Sequence, residues 1–155
     1  MSDYIKYEVR VYPCGDKHWY KEGKYHREDG PAVEYSDGTK AWYKEDKLHR
    51  EDGPAVEYSD GTKSWYKEGK LHREDGPAII YTSGAKYWCR NGKFHREDGP
   101  AVERSDGSKS WYLEDKYYRT EAEFKKEIAK HSLSSCEGKI VEIDGKKYTL
   151  TSVIE

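Results

Sequence analysis

The sequence is poor in the residues that build an ordinary hydrophobic core. Hydrophobic residues make up 34% of the 155 residues and charged residues 37%, with only 2 Phe and 1 Met. Such a composition is typical of disorder, because too little apolar area is buried to offset the loss of conformational entropy. The 15 Tyr and 5 Trp indicate a folded chain instead, since each aromatic side chain can bury roughly 150–250 Å². We expect a thin folded structure without a deep aliphatic core.

The chain also lacks an excess of one charge, a cysteine framework and a long apolar segment. Its formal net charge of −2 does not predict a surface for duplex nucleic acid or for an anionic membrane, both of which need clustered cations. The three cysteines, Cys14, Cys89 and Cys136, are an odd number with no C-x-x-C pair, which favours free thiols in a reducing compartment. No segment resembles a signal peptide or a membrane span. These absences predict a cytoplasmic protein.

A repeat of 23 residues dominates the sequence. The tryptophans recur at this spacing, and so do four of the histidines. The tryptophans are Trp19, Trp42, Trp65, Trp88 and Trp111, and the histidines are His26, His49, His72 and His95. Full copies cover 26–48, 49–71, 72–94 and 95–117, after a degenerate copy over 3–25. The sequence therefore predicts a repeat array over 1–118 and a separate C-terminal region over 119–155.

Each copy carries the signals of a β-hairpin. Asp37-Gly38 and Glu45-Asp46 are turn pairs between short strands that contain Val, Tyr and Trp. Identical stacked copies need an even number of chain reversals per copy, because with an odd number alternate copies would run in opposite directions. Gly30-Pro31 is therefore interpreted as a kink within one strand and not as a third reversal. We therefore expect two strands per copy.

The turn lengths predict the register of these strands. If both turns contain two residues, the predicted partners are Val33–Trp42, Glu34–Ala41, Trp42–His49 and Tyr43–Leu48. The same register in the third copy pairs Ile80 with Tyr87, so that both members of the Glu34–Ala41 pair become apolar together.

These features predict a mostly β fold, an elongated single-layer antiparallel β-meander in which each copy contacts only its neighbours. A capping motif at Thr120 predicts a helix over 121–131 with Phe124 and Ile128 on one face. Residues 139–150 predict one further hairpin around Asp-Gly. We expect this helix and hairpin to cap the last open edge of the sheet.

The period of 23 residues, the aromatic strands and the junction Gly69-Lys70-Leu71-His72 resemble the MORN repeat. In the MORN pattern a glycine follows the histidine at once, whereas here Arg-Glu-Asp stands between them. The chain is therefore most similar to the divergent MORN-like repeats found in bacteria and tailed phages, over about residues 3–118. The resemblance implies protein–protein scaffolding, with lipid contacts proposed for some relatives and an antitoxin role for others.

The string His-Arg-Glu-Asp contains a base, a cation and two acids, as an active site would. An enzyme has no reason to copy one such group four times, so we interpret it as scaffold in which Arg27, Glu28 and Asp29 pair with their equivalents in neighbouring copies. Adjacent copies lie about 9.6 Å apart, too far for their histidines to share a metal ion. His131 and Cys136 lack a third, orienting group for nucleophilic catalysis. We expect no cofactor, no metal site and no enzymatic activity.

The third copy departs most from the others. Ile80, Tyr87 and Cys89 replace Glu, Ala or Ser, and Tyr, and with Tyr43 and Tyr66 they predict an apolar patch for a protein partner. Drift within the array is the alternative interpretation of these changes. The tryptophan row raises the further possibility of base stacking, although its spacing of about 9.6 Å exceeds the rise between bases.

These observations predict a protein-binding module without enzymatic activity. Its most concrete form is a small phage protein that inhibits a host defence protein in the host cytoplasm, an idea that rests on the family resemblance. A sponge for small molecules or nucleotides in the aromatic pockets is the alternative, followed by an antitoxin-like or structural scaffold. An open sheet edge would also allow pairing with a second copy of the chain.

Overall fold

The computed structural model describes residues 7–136, 140–143 and 146–149. These residues form short strands and one helix, which confirms the predicted mostly β class. The elements are β1 (Glu8–Val11), β2 (Lys17–Lys21), β3 (Lys24–Tyr25), β4 (Val33–Glu34), β5 (Lys40–Ala41), β6 (Tyr43–Lys44), β7 (Lys47–Leu48), β8 (Val56–Glu57), β9 (Lys63–Ser64), β10 (Tyr66–Lys67), β11 (Lys70–Leu71), β12 (Ile79–Ile80), β13 (Lys86–Tyr87), β14 (Cys89–Arg90), β15 (Lys93–Phe94), β16 (Val102–Glu103), β17 (Lys109–Leu113), β18 (Lys116–Tyr118), α1 (Glu121–Cys136), β19 (Ile140–Ile143) and β20 (Lys146–Thr149).

One large antiparallel sheet runs through all the copies. Its strand order is β1-β2-β4-β5-β8-β9-β12-β13-β16-β17-β18, with β3 paired to β2. Each full copy adds two strands to this sheet, such as β4 and β5, and the next copy continues beside it because β5 pairs with β8. This arrangement confirms the predicted single-layer meander. It also places equivalent residues of successive copies in straight rows across the sheet.

In the first three full copies the second half forms a separate two-stranded hairpin after its tryptophan, which we call the outer hairpin, whereas β18 of the fourth copy stays in the large sheet. In the first full copy β6 and β7 form a separate hairpin in which Tyr43 pairs with Leu48, as predicted. Its turn residues Glu45 and Asp46 have φ angles of 52° and 64°, the positive values of a type I′ turn. The chain then crosses residues 49–55 and re-enters the large sheet in the same direction. The Gly-Pro segment therefore lies in an excursion within one strand and does not reverse the chain, as predicted.

The loop at Asp-Gly is longer than the two residues that the sequence predicts. The N–H of Gly38 donates to the carbonyl of Tyr35 (3.0 Å), and the N–H of Tyr35 donates to the carbonyl of Thr39 (2.9 Å). Three residues therefore close the hairpin, with Gly38 at a φ of 93°, as in a type I turn followed by a bulge. The carboxylate of Asp37 accepts the N–H of Thr39 at 2.8 Å and stabilises this loop.

The longer loop shifts the register by one residue. The observed pairs are Val33–Ala41 and Glu34–Lys40, so the predicted Val33–Trp42 and Glu34–Ala41 pairs are wrong. In the third copy, Ile79 pairs with Tyr87 and Ile80 pairs with Lys86. The predicted Ile80–Tyr87 pair is therefore also wrong, and these two side chains belong to opposite faces of the sheet.

The corrected register gives the two faces different chemistry. The aromatic face contains a core of Val33, Ala41 and Val56, covered by half-buried tyrosines and by Leu48. The charged face contains a row in which lysine and glutamate alternate across the strands, interrupted once by isoleucine. This row is Lys17, Glu34, Lys40, Glu57, Lys63, Ile80, Lys86, Glu103 and Lys109.

The helix covers the last strands of the array. The N–H of Glu123 donates to the Oγ1 of Thr120 at 3.2 Å, which confirms the predicted cap, and the helix extends to Cys136. Phe124 is buried against Leu113 and Tyr118, with Ile128 beside them. The strands β19 and β20 pair with each other as predicted, whereas the predicted turn at 144–145 lies outside the described residues. Within the described part, no helix is long and apolar enough to cross a membrane.

Candidate binding surface

Each excursion between the outer hairpin and the large sheet is built around one arginine. In the second copy the guanidinium of Arg50 stacks 4.0 Å from the ring centre of Trp42. Its Nε donates to the carboxylate of Asp52 (2.9 Å), and its Nη1 donates to the carbonyl of Pro54 (3.3 Å) and to Glu57 (3.1 Å). The arginine therefore ties together the tryptophan, the excursion and the returning strand. We call this arrangement the arginine cradle.

The small residues of the repeat string are required by the same arrangement. A Cβ atom on Gly53 would lie 3.0 Å from the Cζ of Arg50, which is closer than side-chain carbons normally approach. Ala55 is completely buried where the chain rejoins the sheet, as are its equivalents Ala32, Ala78 and Ala101. The letters R-x-D-G-P-A are thus explained by packing and hydrogen bonding, which supports their interpretation as scaffold.

The pairing predicted for the charged residues of this string is partly wrong. Arg27 pairs inside its own copy, with Asp29 at 2.9 Å and Glu34 at 3.4 Å. Of these three residues, only Glu28 forms an ion pair with the preceding copy among the described residues, where its carboxylate lies 3.2 Å from the Nζ of Lys21. The reason is the excursion, which folds the arginine back over its own strand.

Three of the four repeat histidines lie between two carboxylates, whereas His72 lies between Glu74 and the amide of Asn91. The Nδ1 of His49 is 2.9 Å from the carboxylate of Glu68, and its Nε2 is 3.6 Å from Glu51. The Nδ1 of His49 also accepts the backbone N–H of Glu68 at 3.2 Å, and the carboxylate of Glu68 pairs in turn with Lys47 at 3.4 Å. These contacts connect the excursion of one copy to its outer hairpin. Each ring nitrogen of His49 therefore has a structural partner, Glu68 at Nδ1 and Glu51 at Nε2.

Acid is expected to weaken the array, because its arginine-paired carboxylates are ionised in the folded state. The hydrogen bond from each cradle arginine lowers the pKa of Asp29, Asp52, Asp75 and Asp98 below the ordinary value of 3.8. A lowered pKa contributes stability above the ordinary value, and that contribution is lost as the pH falls through the folded pKa. Urea unfolding at about pH 7, 5 and 3 should show equal stability at the first two and a loss at the third. Equal stability at all three would contradict this role.

The tryptophan row is partly covered by these arginines. The guanidinium groups of Arg27, Arg50, Arg73 and Arg96 lie 4.0 to 4.2 Å from the ring centres beneath them. A base that stacked on the same faces would have to displace a hydrogen-bonded arginine. Grooves of about 610 to 790 Å³ separate neighbouring excursions, but they are lined by both acids and bases. The geometry therefore favours a polar contact surface over an aromatic stacking platform.

In the third copy an aromatic ring has moved along the strand. The other full copies have Ala41, Ser64 or Ser110 where the third has Tyr87, and a tyrosine where it has Cys89. Tyr87 packs against Tyr81 (5.2 Å between ring centres) and Phe94 (5.9 Å). Cys89 is only 3% exposed, and its burial raises the pKa of the thiol to about 11. The two changes exchange a small and a large side chain on one face, so each compensates for the other.

Three further changes in the third copy have no such compensation. Ile80, Ser83 and Asn91 stand where the second copy has Glu57, Asp60 and Glu68. The third copy therefore has four basic and two acidic residues, whereas each of the other full copies has four basic and five or six acidic residues. Ser83 and Asn91 are exposed and Ile80 is half-buried. A cationic and partly apolar region results between full copies that have more acidic than basic residues.

The predicted partner-binding residues are divided between the two faces of the sheet. Tyr43, Tyr66 and Tyr87 are half-buried on the aromatic face, Ile80 is on the charged face, and the side chain of Cys89 is buried. The structure therefore does not bring Ile80 together with the tyrosines. Sequence reasoning missed the contact between each arginine and the glutamate seven residues later, which depends on the excursion. The recurrence of Arg and Glu in three copies, with Ile80 in place of Glu in the third copy, was the available signal.

Among the described residues, no three His, Cys, Asp or Glu side chains come together as metal ligands. The nucleophile and base pair of Cys136 and His131, which the sequence argued against, is not tested, because the side chain of Cys136 lies outside the described residues.

No protein-family model matches the chain, and no curated protein matches it. The resemblance to MORN-like repeats therefore stays a prediction that rests on the repeat itself.

Proposed function

We propose that this chain is a protein-binding module without enzymatic activity, and that the third copy carries its contact surface. The observation behind this proposal is the position of the charge changes. The array keeps its arginine cradles, histidine pairs and alternating row almost unchanged, and the departures that packing does not compensate are at Ile80, Ser83 and Asn91.

The architecture suits such a role because it presents a rigid surface. Cross-strand pairing fixes the rows of side chains, and the cradles hold each excursion on the sheet. A preorganised surface loses little conformational entropy when it binds. A half-buried apolar residue surrounded by charged side chains is also the usual composition of a protein interface.

An exchange of copies would test the proposal. In one variant, residues 72–94 are replaced by the sequence of residues 49–71, which preserves the repeat and removes every departure of the third copy. We expect the unaltered chain to retain one protein at stoichiometric amounts from an extract of cells in which it occurs naturally. The variant should fold but lose this protein, and native mass spectrometry would compare the two.

Two results would contradict the proposal. Equal retention of the same protein by the variant would remove the third copy from the contact. Recovery of a nucleotide or another small molecule, with no protein bound, would favour the sponge alternative. The narrower proposal, a phage protein that inhibits a host defence protein, would be supported if the retained protein belonged to a defence system.

A further inference from the structure

In three copies a glutamate completes the arginine cradle on the charged face. Glu34, Glu57 and Glu103 accept a hydrogen bond from the Nη1 of their arginine at 3.4, 3.1 and 3.2 Å. Each also lies between two lysines in the register of the sheet, as Glu57 lies between Lys40 and Lys63. Since directly opposite residues have Cβ atoms about 4.5–5.5 Å apart, each glutamate is surrounded by three cations.

The third copy keeps the cations and lacks the glutamate. Arg73 still stacks on Trp65 at 4.1 Å and still donates to Asp75 at 2.9 Å. Ile80 occupies the glutamate position, between Lys63 and Lys86. Among the described residues, no second carboxylate forms an ion pair with Arg73 in the way that Glu57 does with Arg50. We call this group of Arg73, Lys63, Lys86 and Ile80 the open cradle.

We propose that the open cradle binds a carboxylate side chain from an extended acidic segment of a partner protein. This carboxylate takes the electrostatic role that glutamate has in the other copies, and an apolar neighbour in the same segment contacts Ile80. The proposal rests on the proposed protein-binding function and names the chemistry of the partner.

Charge complementarity favours this occupant. The third copy has an excess of two basic residues over acidic ones, whereas each of the other full copies has an excess of acidic residues. An acidic segment would therefore be attracted to the third copy and repelled by the copies on either side. The apolar side chain in the centre of the cations favours a segment that combines carboxylates with apolar residues over a bare inorganic anion.

The open cradle is also preorganised for binding. The guanidinium of Arg73 is fixed by its stacking on Trp65 and by its bond to Asp75, and its side chain is 23% exposed. An arginine held in this way loses little side-chain entropy when it forms a second, charge-assisted hydrogen bond. The same group in the other copies is already occupied by its own glutamate.

The test compares two reciprocal substitutions with an acidic peptide as the probe. The peptide Glu-Leu-Glu-Leu-Glu is titrated into the full chain, and the dissociation constant and the stoichiometry are measured by calorimetry at low salt. Ile80→Glu restores the glutamate of the other copies and should weaken binding at least tenfold. Glu57→Ile opens the cradle of the second copy and should raise the stoichiometry from one peptide to two.

Melting temperatures provide the folding control. Ile80→Glu should melt at or above the temperature of the unaltered chain, because it supplies the missing partner of Arg73, so its loss of binding would not be due to unfolding. The proposal is overturned if Ile80→Glu binds the peptide as well as the unaltered chain. It is also overturned if Gln-Leu-Gln-Leu-Gln binds equally, or if inorganic phosphate displaces the peptide at equal concentration.

The same variant separates this proposal from the function on which it depends. If Ile80→Glu and the unaltered chain retain the same protein from an extract in equal amounts, the open cradle is not the contact and the protein-binding function stands. If the unaltered chain retains no protein, the proposed function itself is wrong.

Discussion

The double substitution Ser64→Tyr with Tyr66→Cys should leave the stability of the array within about 1 kcal/mol of the unaltered chain. Each single substitution should lower the free energy of unfolding by about 2 kcal/mol or more. Ser64→Tyr overpacks the aromatic face, and Tyr66→Cys leaves a cavity in it. The double variant copies the arrangement of Tyr87 and Cys89 into the second copy, where Tyr58 and Leu71 stand in place of Tyr81 and Phe94.

Urea unfolding of the four proteins in this cycle gives the coupling energy directly. A coupling of about 2 kcal/mol or more would show that the ring exchange in the third copy is a packing solution. Additive single effects would instead mean that Tyr87 and Cys89 changed independently. In that case Tyr87 would again be a candidate for partner contact on the aromatic face.

Removal of the cradle arginine is expected to have the second large effect. Arg50→Met should cost about 3 kcal/mol, because it removes charge-assisted hydrogen bonds to Asp52, Pro54 and Glu57 together with the stacking on Trp42. Arg73→Met should cost about 1 kcal/mol less, because the third copy has no glutamate at this position to lose. The two side chains are 22% and 23% exposed, so they form a matched pair.

The free energies of unfolding of both variants would be measured under the same conditions. A cost for Arg73→Met as large as that for Arg50→Met would mean that the glutamate contributes nothing to the cradle. Costs below about 1 kcal/mol for both would show that the repeated string does not hold the excursion, and would reopen the question of why it is repeated.

Much of the architecture could be predicted from the sequence because a repeat allows few arrangements. The period, the even number of reversals and the turn pairs predicted two antiparallel strands per copy, which the large sheet contains, and the Tyr43–Leu48 pair of the outer hairpin. The helix was predicted from its cap, and it extends to Cys136 because periodicity gives only approximate helix ends.

The register was not predictable in the same way, because Asp-Gly serves both two-residue and three-residue loops. One additional loop residue pairs Glu34 with Lys40 instead of Ala41, and it moves Ile80 and Tyr87 to opposite faces. The apparent coincidence of two apolar changes in the third copy was therefore two unrelated events. One is a packing exchange with Cys89, and the other is the loss of a partner for Arg73.

The arginine cradle could not be predicted from the sequence alone. Arg50 and Glu57 are seven residues apart in a segment that was predicted as one kinked strand, and a regular strand would hold residues at that spacing far apart. Only the excursion, with Gly53 close to the guanidinium and Ala55 buried, brings the two together. Once this contact is known, the replacement of glutamate by Ile80 becomes the most informative difference in the array.

The arginine Nε–H signals in ¹H–¹⁵N spectra test the central claim most directly, because each cradle has its own signal. As the Glu-Leu-Glu-Leu-Glu peptide is added, the signal of Arg73 should shift while those of Arg27, Arg50 and Arg96 stay in place. In Ile80→Glu no cradle signal should shift. Equal shifts of all four signals, or a shift of Arg73 that survives Ile80→Glu, would contradict the account of three closed cradles and one open one.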